Sequence, residues 1–213
     1  MNKQMSNKDN FIRGKRYLVY MLQYLFYEKP RGLDFTMKDT KIFKKSSGRY
    51  HGYSKTNEKH LREIFQTLPY EKGLRFLDVG SGKGVALKEA VKFPFEEVAG
   101  IEIQPEMLEI AKRNFQILGI EKQVTVRQAD AVTFDEYGKY NVFFFFNPFS
   151  EEILSKVVDN LVKSQKKADD TITVIYHDPR FLHLFEEKFT VVNKRIMYDS
   201  LKNYDTCILE LKV

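Results

Sequence analysis

From Leu74 to the last residue, apolar runs of strand length alternate with segments long enough for a helix, and this alternation constrains the fold more than any other feature. "LRFLDVG" reads as a strand followed by a helix from Lys83 to about Lys92, and "EVAGIEI" as a strand followed by a helix from Pro105 to about Leu118. "QVTVRQ" and "NVFFFF" are the third and fourth strands, with a helix from about Glu151 to Ser164 after the fourth. "TITVIYH" is the fifth, with a short helix from about Arg180 to Lys188. "VVNKRIMY" and "DTCILELKV" have no helix between them and are expected to form an antiparallel hairpin. Strands alternating with helices imply a parallel sheet covered on both faces. The expected fold is therefore α/β: a three-layer, doubly wound, mostly parallel seven-stranded sheet with a C-terminal antiparallel hairpin and an N-terminal helical extension.

Four consecutive phenylalanines, Phe143 to Phe146, fit this scheme. A central strand of a parallel sheet is buried on both faces, so it is continuously apolar instead of alternating. Asn147-Pro148 ends it, because proline cannot donate to the ladder.

The N-terminal part reads differently. A helix is expected from about Phe11 to Tyr27, with tyrosines 17, 20, 24 and 27 recurring along one face. Such a stripe usually packs on the domain. "EKPRG" breaks the helix, Arg31 to Lys55 reads as a long loop, and a second helix covers about Asn57 to Thr67. Loops of that length are often functional. We divide the chain into a basic lid or substrate region, 1–56, and a main domain, 57–213.

Charge supports that division. The net charge is +6, yet residues 1–60 hold 14 Lys/Arg against 5 Asp/Glu, while the remaining 153 residues hold 21 against 24. A basic N-terminal segment favours an acidic partner such as RNA, or simply forms a solvated face. The apolar stretch "YLVYMLQYLFY" is far below the ~20 residues needed to span a bilayer. The single cysteine, Cys207, excludes an internal disulfide framework and reads as a small buried residue. A cytoplasmic protein is expected, and no metal site.

The first strand runs straight into Asp78-x-Gly80-x-Gly82-x-Gly84 and then a helix. Glycines there permit a tight strand-to-helix turn and close approach of a ligand to the backbone. A dinucleotide fingerprint would need glycine at 85, where Val85 stands, and this also argues against a nicotinamide oxidoreductase. A phosphate loop would need Ser or Thr after Lys83, where Gly84 stands.

The remaining pattern, D-x-G-x-G-x-G, resembles motif I of the class I S-adenosylmethionine-dependent methyltransferases. Glu102 ends the second strand, Asp130 follows the third in "RQADA", and "NPF" ends the fourth at the family's motif IV. The terminal hairpin matches the family's seventh, antiparallel strand. The resemblance covers about residues 74 to 213. It implies S-adenosylmethionine as cofactor, with Asp78, Gly80, Ser81 and Gly82 at its amino-acid part, Glu102 on the ribose, Ile103 against the adenine, and Asp130 with Ala131 at the adenine edge.

For the acceptor, Asn147, Pro148 and Phe149 resemble part of [DNS]-P-P-[YFW], in which the polar side chain and next carbonyl accept hydrogen bonds from a target nitrogen and the aromatic stacks on it. Only one proline separates Asn147 from the aromatic here, which sets Phe149 at a different angle. Asn147 also borders the expected cofactor site. His177 in "YHDP" ends the fifth strand on the same edge and is a candidate base, or a structural histidine. "GRYHGYSKT", Gly48 to Thr56, resembles the cofactor-covering segment of several methyltransferases, including the histone-lysine group that lacks the SET domain, and Tyr53 is its candidate lid residue. Two functions stay open: a methyltransferase acting on RNA, a basic protein or a small molecule, with a nitrogen as candidate acceptor, and a cofactor-binding module without catalysis that holds RNA through its basic segment.

Overall fold

A computed structural model describes residues 15, 18–37, 55–70, 73–165, 171–197 and 204–211. Seven strands form one sheet: β1 (Arg75–Val79), β2 (Glu97–Glu102), β3 (Thr125–Gln128), β4 (Val142–Phe145), β5 (Ile172–His177), β6 (Thr190–Met197) and β7 (Tyr204–Leu211). The spatial order is β3-β2-β1-β4-β5-β7-β6. Strands β1 to β5 pair in parallel, whereas β7 runs antiparallel to both β5 and β6. The order in which strands are added reverses between β1 and β4, and ligands of open parallel sheets sit beyond the strand ends at such a switch point.

The helices are α1 (Glu58–Phe65), α2 (Val85–Ala90), α3 (Pro105–Leu118), α4 (Glu151–Gln165) and α5 (His183–Glu186). Asn57 caps α1 by accepting a bond from the Lys59 amide, 2.9 Å. Pro105 opens α3 and Gly119, at φ 66°, closes it. Helix α2 starts at Val85, two residues later than expected, because Gly82 and Gly84 take left-handed φ of 53° and 85° and extend the turn. Helix α5 keeps only four of its expected residues.

Strand β4 shows why four phenylalanines are needed. Phe143 and Phe145 project into one apolar cluster with α4 and α5, while Phe144 joins the opposite cluster with α1, α2 and α3, against which Phe146 also packs. Each fully buried side chain contributes about 1.5–3 kcal/mol relative to exposure. The run thus fills two layers at once, and Asn147 ends it at φ 45°.

The N-terminal segment departs from expectation. Its helix, described over 18–23, continues past Tyr27 as a π turn, Tyr24–Glu28, and a 3₁₀ turn, Lys29–Arg31, before Gly32 ends it at φ 74°. Pro30 lacks the N–H that an α-helix would use there. Tyr27 is exposed, as are Leu18, Val19, Leu22, Leu25 and Phe26, so the stripe is not packed as expected at Tyr27; Tyr17 lies outside the described residues. What does pack is the stretch read as loop, since Leu33 and Phe35 are 3% and 2% exposed and belong to the α1–α2–α3 cluster. Among the described residues, no helix is long and apolar enough to cross a membrane. Cys207 is buried and unpaired.

Candidate functional site

A cleft opens beyond the carboxyl ends of β1, β2 and β4, and its walls include Asp78, Gly80, Ser81, Gly82, Glu102, Ile103, Ala131, Asn147, Pro148 and Phe149. Ten of the residues singled out in the sequence therefore meet in one place. The local structure explains how. The amides of Gly80 and Ser81 both donate to the Ile101 carbonyl, at 3.0 and 2.9 Å, which folds the β1 turn over the end of β2. A Cβ on Gly80 would lie 2.6 Å from the Pro148 Cβ, so motif I and motif IV are in direct contact only because that position is glycine.

Two carboxylates share the cleft. Glu102 accepts from the Gly82 amide at 2.9 Å and from the Gln104 amide at 3.0 Å, which ties the glycine turn to β2. Burial nevertheless raises its pKa against the lowering effect of those bonds. Asp78, 5% exposed, is pushed up to about 8, first by burial and then by the neighbouring Glu102 charge. The site thus disfavours placing two negative charges in it until a cation arrives.

Two polar atoms in the same cleft are buried without a hydrogen-bond partner, the Ser81 Oγ and the Gln104 Oε1. Leaving such atoms unpaired costs free energy, about 1–3 kcal/mol each. A polar ligand that reaches both recovers that cost.

Motif IV is differently arranged. The Asn147 Oδ1 accepts from the Tyr176 hydroxyl at 2.9 Å and the Arg180 amide at 3.3 Å, while its Nδ2 donates to the Asp178 carbonyl. The Tyr176 hydroxyl in turn accepts from the Phe181 amide, 3.4 Å. Asn147 borders the cleft, yet its amide clips β4 to the segment after β5.

Two expected residues stand apart. Asp130 is not among the cleft-lining residues although Ala129 and Ala131 are; its Oδ1 accepts from the Val132 amide at 2.9 Å and shapes the local turn. His177 is 1% exposed and lies behind the cleft wall, its Nδ1 2.7 Å from the Thr206 Oγ1 and its ring 5.0 Å from that of Phe146. Tyr53 lies outside the described residues. The structure adds Thr56, Gln104, Met107, Phe144 and Phe146 to the walls. Phe144 and Phe146, two residues apart in an extended run, fall on the same face, which was a usable signal for that pair, and Gln104 follows Glu102 closely; nothing local marks Thr56 or Met107.

A sheet of this order, with a glycine turn after β1 and an acid ending β2, defines the class I, Rossmann-like methyltransferase superfamily. The chain belongs to the methyltransferase domain family, whose sequence profile matches residues 70–212. It is 28% identical over 134 residues to polyamine aminopropyltransferase 2 of Aquifex aeolicus, covering 60% of this chain and 22% of that protein. It is 29% identical over 122 residues to protein-L-isoaspartate O-methyltransferase of Thermotoga maritima, covering 56% and 38%. The chain thus spans well under half the length of the curated relatives it matches. The fold is similar to that of an RNA methyltransferase from Salinibacter ruber in complex with S-adenosyl-L-homocysteine, with TM-score 0.56, 18% identity, and coverage of 73% of this chain and 92% of that one.

Proposed function

We propose that the chain transfers the methyl group of S-adenosylmethionine to a nitrogen of RNA, in the cytoplasm. The observation that carries the donor half is the cleft itself, where buried Asp78, half-buried Glu102 and two unpartnered polar atoms, the Ser81 Oγ and the Gln104 Oε1, line one cavity around a glycine turn. An ammonium and a ribose diol supply the charge and the donors such a surface lacks. In this reading Asp78, Gly80, Ser81 and Gly82 bind the amino-acid end, and Glu102 takes the ribose. Ile103 and Met107 flank the base, Ala131 and the Asp130 turn meet its edge, and Asn147 closes the far side. Tyr53 is assigned to a cover over the cofactor.

When bound, the sulfonium supplies a methyl carbon that is already electrophilic. The protein then has to align an acceptor lone pair and exclude water. Pro148 and Phe149, on the cleft wall, are the residues proposed to border the acceptor. RNA is favoured by the basic balance of residues 1–60, 14 against 5, and by the S. ruber methyltransferase of like fold acting on RNA. Contacts between that segment and phosphates would make binding fall steeply with salt.

One observation favours a second reading. Because the Asn147 amide is engaged by Tyr176, Arg180 and Asp178, it offers an acceptor nitrogen less than the motif suggests, as a cofactor-binding module without catalysis would. Incubating the protein and a cell extract with methyl-labelled S-adenosylmethionine separates these. Label in the RNA fraction supports the proposal, label in protein or small molecules reassigns the acceptor, and bound cofactor without any transferred label supports the binding module.

A further inference from the structure

Lys83 sits in the middle of the glycine turn, between Gly82 and Gly84, yet its side chain leads away from the cleft. It is 0% exposed. Its ammonium donates to the Asp34 Oδ2 at 2.6 Å and to the Met37 carbonyl at 2.7 Å. Asp34 also accepts from the Met37 amide through Oδ1, 3.3 Å.

Asn114, 0% exposed on α3, completes the arrangement. Its Oδ1 accepts from the Asp34 amide at 2.9 Å, and its Nδ2 donates to the Asp34 carbonyl at 3.0 Å and the Lys83 carbonyl at 3.4 Å. Asp34, Lys83 and Asn114 therefore close a ring among the segment before Met37, the cofactor turn and α3. The segment is held at its other end as well. Buried Glu28 accepts from the amides of Phe35 and Thr36, both 2.9 Å, and from the ammonium of Lys55, 3.1 Å, one residue before cleft-lining Thr56.

Replacing a buried ion pair by apolar side chains of similar volume is often neutral or stabilising, so the buried Lys55–Glu28 pair and the half-buried Lys83–Asp34 pair are poorly explained by stability alone. Position explains them better. Gly80, Gly82 and Gly84 all take positive φ, a turn in which glycines carry large conformational freedom. We infer that Asp34 is a positioning residue: through Lys83 and Asn114 it holds the glycine turn in its ligand-ready shape, so that cofactor affinity is set from the N-terminal segment. This rests on the reading of the cleft as an S-adenosylmethionine site, and ordering the turn before binding lowers the entropy paid on binding.

The test uses the full chain with Asp34→Ala and Asp34→Asn, and with Leu33→Ala as a neighbour that loses buried apolar surface but no ring bond. S-adenosylhomocysteine affinity is measured by calorimetry, and amide exchange of residues 80–84 is followed without ligand. Asp34→Ala is expected to weaken binding about tenfold and to speed exchange in the turn. Asp34→Asn, which keeps an oxygen for the Lys83 ammonium, recovers part of both, and Leu33→Ala lowers the melting temperature without changing either. Wild-type exchange and affinity in both Asp34 variants, or equal changes in Leu33→Ala, overturn the inference. Should the wild-type chain bind no S-adenosylhomocysteine, the cleft assignment fails, while ligand-free exchange still decides whether Asp34 holds the turn.

Discussion

The turns after β1 and after β4 lie side by side, with Gly80 against Pro148, but they are built in opposite ways. The β1 turn leaves the Ser81 Oγ unpartnered and faces two carboxylates whose pKa values burial raises. In the β4 turn the Asn147 amide is bonded on both sides to the segment after β5. One turn is prepared to receive polar groups and the other to hold its own shape. On the proposed reading, motif IV contributes mainly as a fixed wall, while motif I carries the recognition.

Gly80→Ala attacks the contact between the two turns and carries the largest expected effect. Its φ of 83° costs an alanine about 1–2 kcal/mol, and the added Cβ, 2.6 Å from that of Pro148, must also displace the wall. S-adenosylhomocysteine affinity is expected to fall by roughly a hundredfold or more, at ~1.4 kcal/mol per tenfold. Calorimetry checks this, with circular dichroism to confirm that the sheet persists. Unchanged affinity would mean that the two turns do not form one site.

The next effect comes from pH. Burial and the neighbouring Glu102 charge push Asp78 up to about 8, and a ligand ammonium placed beside it favours its ionised form. Affinity for S-adenosylhomocysteine should therefore rise as pH rises from 6 to 8, by up to about tenfold per unit, and level off above. The stability of the unliganded chain moves the other way. A carboxyl with a raised folded-state pKa stabilises most below its ordinary pKa of 3.8, and that contribution is lost as pH rises through about 8. Asp78→Asn should flatten both profiles, which pH-dependent calorimetry and thermal melts measure.

Asn147→Gly sharpens the contrast from the other side, because glycine accepts the φ of 45° and only the amide is removed. The Tyr176 hydroxyl, the Arg180 amide and the Asp178 carbonyl lose their shared partner, and a loss of about 1–3 kcal/mol is expected in denaturant unfolding. Cofactor affinity should change only a few-fold. A variant of unaltered stability that loses methyl transfer would instead place the Asn147 amide on the acceptor.

Much of this was legible in the sequence because it depends on local pattern. Alternation from Leu74 onward revealed all seven strands, and the hairpin followed from the missing helix between β6 and β7. The glycine spacing and Glu102 pointed to residues that line the cleft. What escaped is long-range and polar. The partners of Lys83 and Asn114 are 49 and 80 residues away at Asp34, so no periodicity reports them, and the segment from Leu33 to Met37 reads as plain loop. His177 was legible as a strand end but not as a residue whose ring turns behind the wall toward Thr206. Burial of Asn147 by its own hydrogen bonds was equally silent, since Asn-Pro at a strand end suits both a wall and an acceptor cradle.

Ser81→Ala gives the smallest effect and the finest distinction between the two turns. In the unliganded protein its hydroxyl has no partner, so removing it relieves an unsatisfied buried group and stability should hold or rise by up to about 1 kcal/mol. In the liganded protein the same hydroxyl is expected to be engaged, and affinity for S-adenosylhomocysteine should fall by roughly two- to tenfold, the value of about 0.5–1.5 kcal/mol for one hydrogen bond. Opposite signs for stability and affinity, read from thermal melts and calorimetry on one variant, are what a turn prepared for a ligand predicts. A Ser81→Ala variant that loses stability and keeps its affinity would show instead that the hydroxyl serves the fold, as the Asn147 amide does next to it.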